Sequence, residues 1–335
     1  MQNELYESLD KLLAAQDLPA KIRATGRSGC AADLVAPLVE SGFLDVMVSE
    51  EAGGAGLGWA QAWEVLFAAG RHGLPVPMGT TVFARALLAN LGQTLPDGAI
   101  TASGFAQLNA DGALVARDLP SSKLSTYALL QHQDTVYLLP LSQAQITDVG
   151  GPGCFDGQAT WAPTVVNQSA IGTAPRAMVA HGVALALAVQ MAGVAARVLE
   201  LTLTYANDRV QFGKPIGKFQ ALQQQISEMA ELVYGARMAS QIGCQTEQWQ
   251  PEFEAARVAK TQTSAVAPRI AAIAHAVHAA IGVTYEYDLQ LYTRRLYEWA
   301  RLGGGEGYWA QQIGLTALSE PNLLDFVRQR VFQEA

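Results

Sequence analysis

Four stretches of the first hundred residues, ELYESLDKLLAA, DLVAPLVESG, WAQAWEVLFAAGRHG and TTVFARALLANLG, repeat apolar positions at steps of three and four between Gly and Pro breaks. That spacing is the buried stripe of a helix, so short packed helices are expected up to about residue 100. Between about 100 and 170 the pattern shifts to short runs rich in Thr, Val and Tyr, such as DTVYLLPL and ATWAPTVV, which read as a few β-strands. From about 171 long Ala-rich helical patterns return, with breaks near 208–217, 246–251 and 282–288, as in a helical bundle. After the first of these breaks Phe219, Leu222, Ile226, Met229, Val233 and Ala236 share one helix face. Pro268 should kink or loosen the helix expected over 253–281. No internal repeat or low-complexity tract interrupts this order.

Composition narrows the class. Half of the 335 residues are hydrophobic and 16% are charged, enough for a large core and against a disordered or fibrous chain. The net charge of -8, with no block of Lys or Arg, lacks the positive patch that phosphate-backbone binding needs, so nucleic acid is not expected as a partner. Cys30, Cys154 and Cys244 lie far apart without CxxC spacing, so neither a disulfide framework nor a metal site is expected and a reducing cytoplasm fits best. The acidic, amphipathic start is unlike a signal peptide. Residues 177–196 are apolar enough to cross a bilayer, but they are Ala/Gly-rich and lack basic or aromatic flanks. A buried bundle helix is therefore expected there, and no membrane span.

Several stretches invite chemical readings. GGAGLG at 53–58 lacks the final glycine of GxGxxG and follows no strand pattern, so it reads as a turn. GGGEG at 303–307 lacks the Lys-Ser/Thr of a P-loop. His275 and His278, three apart, have no third ligand nearby in sequence and read as core or interface histidines. YANDRVQFGKPIGKFQ at 205–220 differs in kind. An arginine able to pair with phosphate and an aromatic able to stack on a planar ring flank a Gly-Lys-Pro turn; the alternative is an ordinary helix corner.

YANDRVQFGKPIGKFQALQQQISEMA resembles the Y-x-x-x-R-x-x-F-G-x-x-I-x-x-F-Q signature of the acyl-CoA dehydrogenase family. VSEEAGGAGLGWAQAWEVL resembles that family's P-E-x-x-G-G-x-G block, and HAVHAAIGVTYEYDLQLYTRRL its Q-x-H-G-G-x-G and R-R block, in the family's order. The resemblance implies a mostly α chain with a small β domain: an N-terminal helical domain over 1–100, a reduced middle β domain over 101–170, and a C-terminal four-helix bundle over 171–335. It implies FAD bound at a subunit interface, with Arg209, Gln211 and Phe212, followed by Phe219 and Gln220, serving the pyrophosphate and adenosine half of a neighbour's cofactor. It implies an acyl-CoA substrate, an electron-transfer flavoprotein as acceptor, and a glutamate that takes the α-proton while the β-hydrogen leaves as hydride to the flavin.

Departures from the pattern bear on the role. Counting back from Arg209, the glutamate of one family branch falls on Val183; that of the other branch falls on Gly303. Glu306 matches only with a three-residue shift, and Glu298 reads as a helix-surface residue. The T-E-P-x-x-G-S-D and G-x-K-x-x-I-T-N segments that wrap the flavin ring are missing from 101–170, and the family's Gln and paired Gly before Gly282 read Ala276, Ala279 and Ala280. Three readings stay open. The chain is a short, non-catalytic subunit beside a full-length acyl-CoA dehydrogenase subunit, in an assembly acting on a CoA thioester such as that of a steroid side chain. Alternatively it is a self-sufficient homomeric enzyme with Glu306 as catalytic base, or a scaffold that never touches cofactor.

Overall fold

The computed structural model describes residues 2–28, 32–151 and 153–332; Cys30 lies outside them. Helices α1 (Gln2–Ala14), α2 (Leu18–Ser28), α3 (Ala32–Glu40), α4 (Trp59–Arg71) and α5 (Met78–Asn90) come first. The hydrophobic stripes predicted for α1, α3, α4 and α5 all form helices. The sequence pattern missed α2, which is anchored by Leu18, Ile22 and Thr25, all 5% exposed or less. GGAGLG is a loop ahead of α4: Gly53 and Gly56 take positive φ, and Gly58 lies so close to the Glu247 backbone that a Cβ there would fall 2.2 Å from Glu247 C. The glycines serve chain packing at this loop.

Two four-stranded sheets follow. One has strands in the order β1 (Ile100–Ser103), β4 (Tyr127–His132), β5 (Thr135–Pro140) and β8 (Ala170–Thr173). The other runs β2 (Gln107–Leu108), β3 (Leu114–Leu119), β7 (Gly157–Trp161) and β6 (Gln145–Asp148). Only the β1–β4 pair is parallel. Leu114, Ala116, Leu130, Leu139, Ala159 and Trp161 are buried in a core between the sheets. The expected strand over 159–166 ends at Trp161. Pro163 starts the short helix α6 (Pro163–Val166), because its fixed φ and missing N–H suit a first helical turn.

Helix α7 (Met178–Asp208) is the axis of the bundle and packs against α4, α5, α8 (Gln220–Gly243), α9 (Phe253–His278) and α10 (Leu289–Trp299). Two small hairpin strands, β9 (Val210–Gln211) and β10 (Lys214–Pro215), join α7 to α8; α11 (Glu306–Ser319) and α12 (Leu323–Asp325) follow α10. The α7 and 253–283 helices are apolar and long enough to cross a membrane, but 89% of the most apolar window of α7 is buried within the protein. Gly193 of α7 sits where a Cβ would fall 2.2 Å from Phe67 O, and Gly70 of α4 where one would fall 2.1 Å from Gln190 O. The Ala/Gly richness of 177–196 therefore lets two helix backbones touch. On α8, Ile226, Met229, Val233 and Ala236 are buried and Phe219 and Leu222 pack beside them, as their spacing predicts. Helix α9 runs through Pro268 without ending.

Candidate cofactor interface

The break after α7 is a tight hairpin. Gln211 pairs with Lys214 and Val210 with Pro215, and Ile216 N–H donates to Arg209 O at 2.8 Å to close its base. The turn residues Phe212 and Gly213 both have positive φ, 51° and 79°. A two-residue loop needs that pair to match the strand twist, and Asn-Gly is its usual solution. Here a phenylalanine holds the left-handed position and is 91% exposed. Arg209 and Gln211 are exposed, as is Gln220 at the start of α8. The Arg209 side chain has no hydrogen-bond or ion-pair partner among the described residues. Phe219 is half-buried: its ring meets Phe212 edge-on at 6.2 Å, and Lys214 Nζ lies 4.4 Å from its centroid. Phe219 thus supports the hairpin while Phe212 projects from it.

A second segment meets the hairpin base. Tyr205, one turn before Arg209, stacks on His278 at 4.5 Å, and Tyr287 closes the cluster at 5.3 Å from His278. His278 is 1% exposed, and His275 reaches Thr293 Oγ1 at 2.9 Å. Directly after His278, Ala279 adopts φ 53°, ψ -141°. That backbone region is nearly glycine-only. The turn that carries glycine in the family pattern therefore keeps a glycine-like course with alanine in place, and Ala279 and Ala280 stand exposed on it.

The two positions where a catalytic glutamate was sought lie together in space. A Cβ added to Gly303, φ 64°, would fall 3.0 Å from Val183 Cγ1 and 3.1 Å from Leu187 Cδ1. The backbone there is already occupied: Trp309 Nε1 donates to Gly303 O at 2.9 Å, and the Gly303 amide hydrogen-bonds the Asp118 carboxylate, which also accepts from Ser103 Oγ at 2.8 Å. Burial pushes the Asp118 carboxyl upward against those bonds. Asp118 was missed from sequence because β3 carries no motif. Glu306 is exposed in the first turn of α11, where it suits the helix dipole. Glu298 is not a surface residue: it is 8% exposed and paired with the buried Arg295.

One ligand-like group escaped the sequence reading. Cys154 Sγ and carboxylate oxygens of Asp156 and Glu298 lie within 4.8 Å of one another. Arg295 already holds Glu298, while burial and the neighbouring Asp156 push the Cys154 thiol up to about 11, which leaves it a neutral thiol. The group fits an ion-pair network better than a metal centre.

The family model for the acyl-CoA dehydrogenase C-terminal domain matches residues 178–308. The acyl-CoA dehydrogenase IpdE2 of Mycobacterium tuberculosis is 31% identical over 309 residues, covering 89% of this chain and 91% of that protein. The chain belongs to the acyl-CoA dehydrogenase family. The family's enzymes are FAD-dependent oxidoreductases, and its fold recurs in solved structures. The ChsE4-ChsE5 complex of M. tuberculosis has a chain with TM-score 0.82 and 20% identity, covering 96% of this chain and 98% of that one. The Tcur3481-Tcur3483 steroid ACAD G363A variant also gives 0.82, at 23% identity, covering 95% and 97%. The mostly α architecture with a small β region is therefore the acyl-CoA dehydrogenase fold.

Proposed function

We propose that this chain is the non-catalytic subunit of a heteromeric, FAD-dependent acyl-CoA dehydrogenase, and that its Arg209 hairpin completes the cofactor site of a full-length partner subunit. The observation that carries this reading is the Arg209–Phe212 hairpin: a strained, exposed aromatic beside an arginine with no partner in its own described chain. A guanidinium fits a diphosphate by charge and by its planar fork, and an exposed ring fits an adenine face. Gln211 and Gln220, both exposed, offer amide donors near the hairpin. The alanine methyls on the Ala279 turn leave less room for a pyrophosphate than glycine would, so in this reading the hairpin carries most of the contact. FAD, when bound, accepts the hydride in this chemistry.

The α-proton has no acceptor at Val183 or Gly303, because neither side chain can take one. In this reading the base belongs to the partner, and residues 1–100, 101–170 and 171–335 serve as three parts of a supporting subunit. The substrate is an acyl-CoA thioester, with a steroid side-chain CoA favoured by the similarity to a steroid dehydrogenase pair, and an electron-transfer flavoprotein takes the electrons. The homomeric reading rests on Glu306, whose exposure gives it no enclosed site in which to act. Glu306→Gln separates the two readings, since it abolishes turnover only if that residue is the base.

The test is flavin retention after gel filtration. The chain alone is expected colourless and the co-purified complex yellow. Arg209→Ala in the complex should weaken FAD binding at least tenfold, the scale of a lost charge-assisted bond. A yellow, active chain on its own overturns the proposal, and unchanged flavin content in the Arg209→Ala complex turns it to the scaffold reading.

A further inference from the structure

The Arg209 hairpin and the Ala279 turn follow helix ends far apart in sequence, and one buried side chain touches the lead into both. His278 is the last residue of α9 and is 1% exposed. Its ring stacks on Tyr205, with centroids 4.5 Å apart and planes 22° from parallel. Arg209 N–H donates to Tyr205 O at 2.9 Å, so the stacked tyrosine and the hairpin arginine share the last turn of α7. On the other side the turn after α9 folds back over the same histidine: a Cβ on Gly282 would fall 2.9 Å from His278 Cβ. A methyl does not fit in that gap, so Gly282 holds the turn against His278.

The histidine is itself fixed. His278 Nδ1 donates to Ala274 O at 2.8 Å, and burial pulls its pKa below the ordinary value, which leaves an uncharged ring at neutral pH. Tyr287 completes a triangle, 5.3 Å from His278 and 6.2 Å from Tyr205. The segment that carries Tyr287 is pinned to α2: Arg23 donates to Tyr285 O and Glu286 O at 3.1 Å each and pairs with Asp288 at 2.7 Å. Residues 208–214, by contrast, are all exposed, so the aim of the hairpin depends on the helix end that carries it. Aliphatic side chains would fill the space among three helices equally well. Stacked and edge-on rings add a preferred mutual geometry, which fixes orientation as well as distance.

We propose that Tyr205, His278 and Tyr287 are positioning residues, whose ring triangle sets the Arg209 hairpin against the Ala279 turn so that both meet one FAD diphosphate. This rests on the cofactor role proposed for the hairpin and adds to it residues that act through Arg209.

Two measurements test it, one without flavin. In the isolated chain the Ile216 amide, which closes the hairpin by donating to Arg209 O at 2.8 Å, reports the hairpin through its hydrogen exchange. Tyr205→Leu should speed that exchange about tenfold, the upper worth of an aromatic pair, and Tyr205→Phe, which keeps the ring, should restore it. In the complex, Tyr205→Leu should weaken FAD by the same factor, again with rescue by phenylalanine. Tyr205 and Tyr287 are half-buried, so Tyr287→Leu supplies a second variant that spares the fold. Affinities are measured well below the unfolding midpoint and repeated in the Arg209→Ala background. A residue acting through Arg209 adds less than about twofold once the guanidinium is gone, whereas one that only supports the fold adds its full effect. Unchanged Ile216 exchange, unchanged FAD affinity in both leucine variants, or a full tenfold loss on top of Arg209→Ala overturns the proposal. Unchanged flavin in Arg209→Ala alone marks failure of the cofactor reading, and this assignment falls with it.

Discussion

At the scale of one residue, Phe212 pays in stability for a position that suits the cofactor role proposed for it. Its φ of 51° belongs to a turn position that asparagine or glycine fills without cost, and 91% of its surface is in water. Neither burial nor local conformation rewards a phenylalanine there. Phe212→Asn should therefore stabilise the isolated chain by about 1 kcal/mol, through relief of the strained turn. The same change should lower flavin retention in the complex, since asparagine has no ring to stack. Denaturant unfolding of the chain and flavin absorbance of the complex check the two halves, and a loss of stability would show that the ring serves the fold instead. The R-x-x-F-G spacing singled this residue out from sequence as a cofactor candidate, and the structure adds its exposure and its turn conformation. The neighbouring strain at Ala279 was not readable, because a departure from glycine in a motif does not say whether the backbone follows the side chain or keeps its course.

At the scale of elements, the bundle was legible because its helices are long and their breaks are marked by Gly, Pro and Asn-Asp. Helix α2 was not, because LPAKIRATGRS carries only Leu18 and Ile22 as large aliphatic anchors. The meeting of Val183 and Gly303 was out of reach for another reason: the two lie on α7 and in the α10–α11 loop, and only packing brings them together. Lys260 joins those same elements. It is fully buried in α9, and its Nζ donates to the Trp299 carbonyl at the end of α10 and to Ser264 Oγ at 3.1 Å. Those bonds satisfy a helix-terminal carbonyl from inside the core. Burial nevertheless pulls the ammonium down to about 7, while in the unfolded chain it stays near the ordinary lysine value of about 10.4. Between those values the unfolded state binds the extra proton, so stability should rise as pH is raised from about 7 toward 9. His181, pulled by burial to about 4, acts in the same sense at lower pH, with stability lost as pH falls from about 6.5. Lys260→Met removes the titrating group and should flatten the alkaline part of the profile. Unfolding midpoints measured at several pH values would show a retained slope if another group were responsible.

For the whole molecule, the question is where the reacting centre of an acyl-CoA dehydrogenase could sit in this chain. The sheets and the bundle converge on the Gly303 loop and fill it: Val183 and Leu187 of α7 stand 3.0 and 3.1 Å from where a Gly303 Cβ would fall, Asp118 of β3 accepts from the Gly303 amide, and Trp309 of α11 donates to its carbonyl. Restoring a carboxylate therefore does not restore a site. Gly303→Glu would place a side chain at φ 64°, against Val183 and Leu187 at about 3 Å. It should destabilise the chain by about 1–3 kcal/mol, the cost of a strained backbone position, with overpacking adding a similar amount. It should also leave the chain alone without acyl-CoA oxidation. In the complex, where the proposed hairpin follows the far end of α7 from Val183, the same variant should keep its flavin. A gain of turnover in the isolated Gly303→Glu protein would mean that the closed loop opens readily, and that the proposed division of labour between subunits is set by one missing carboxylate and not by the packing around it.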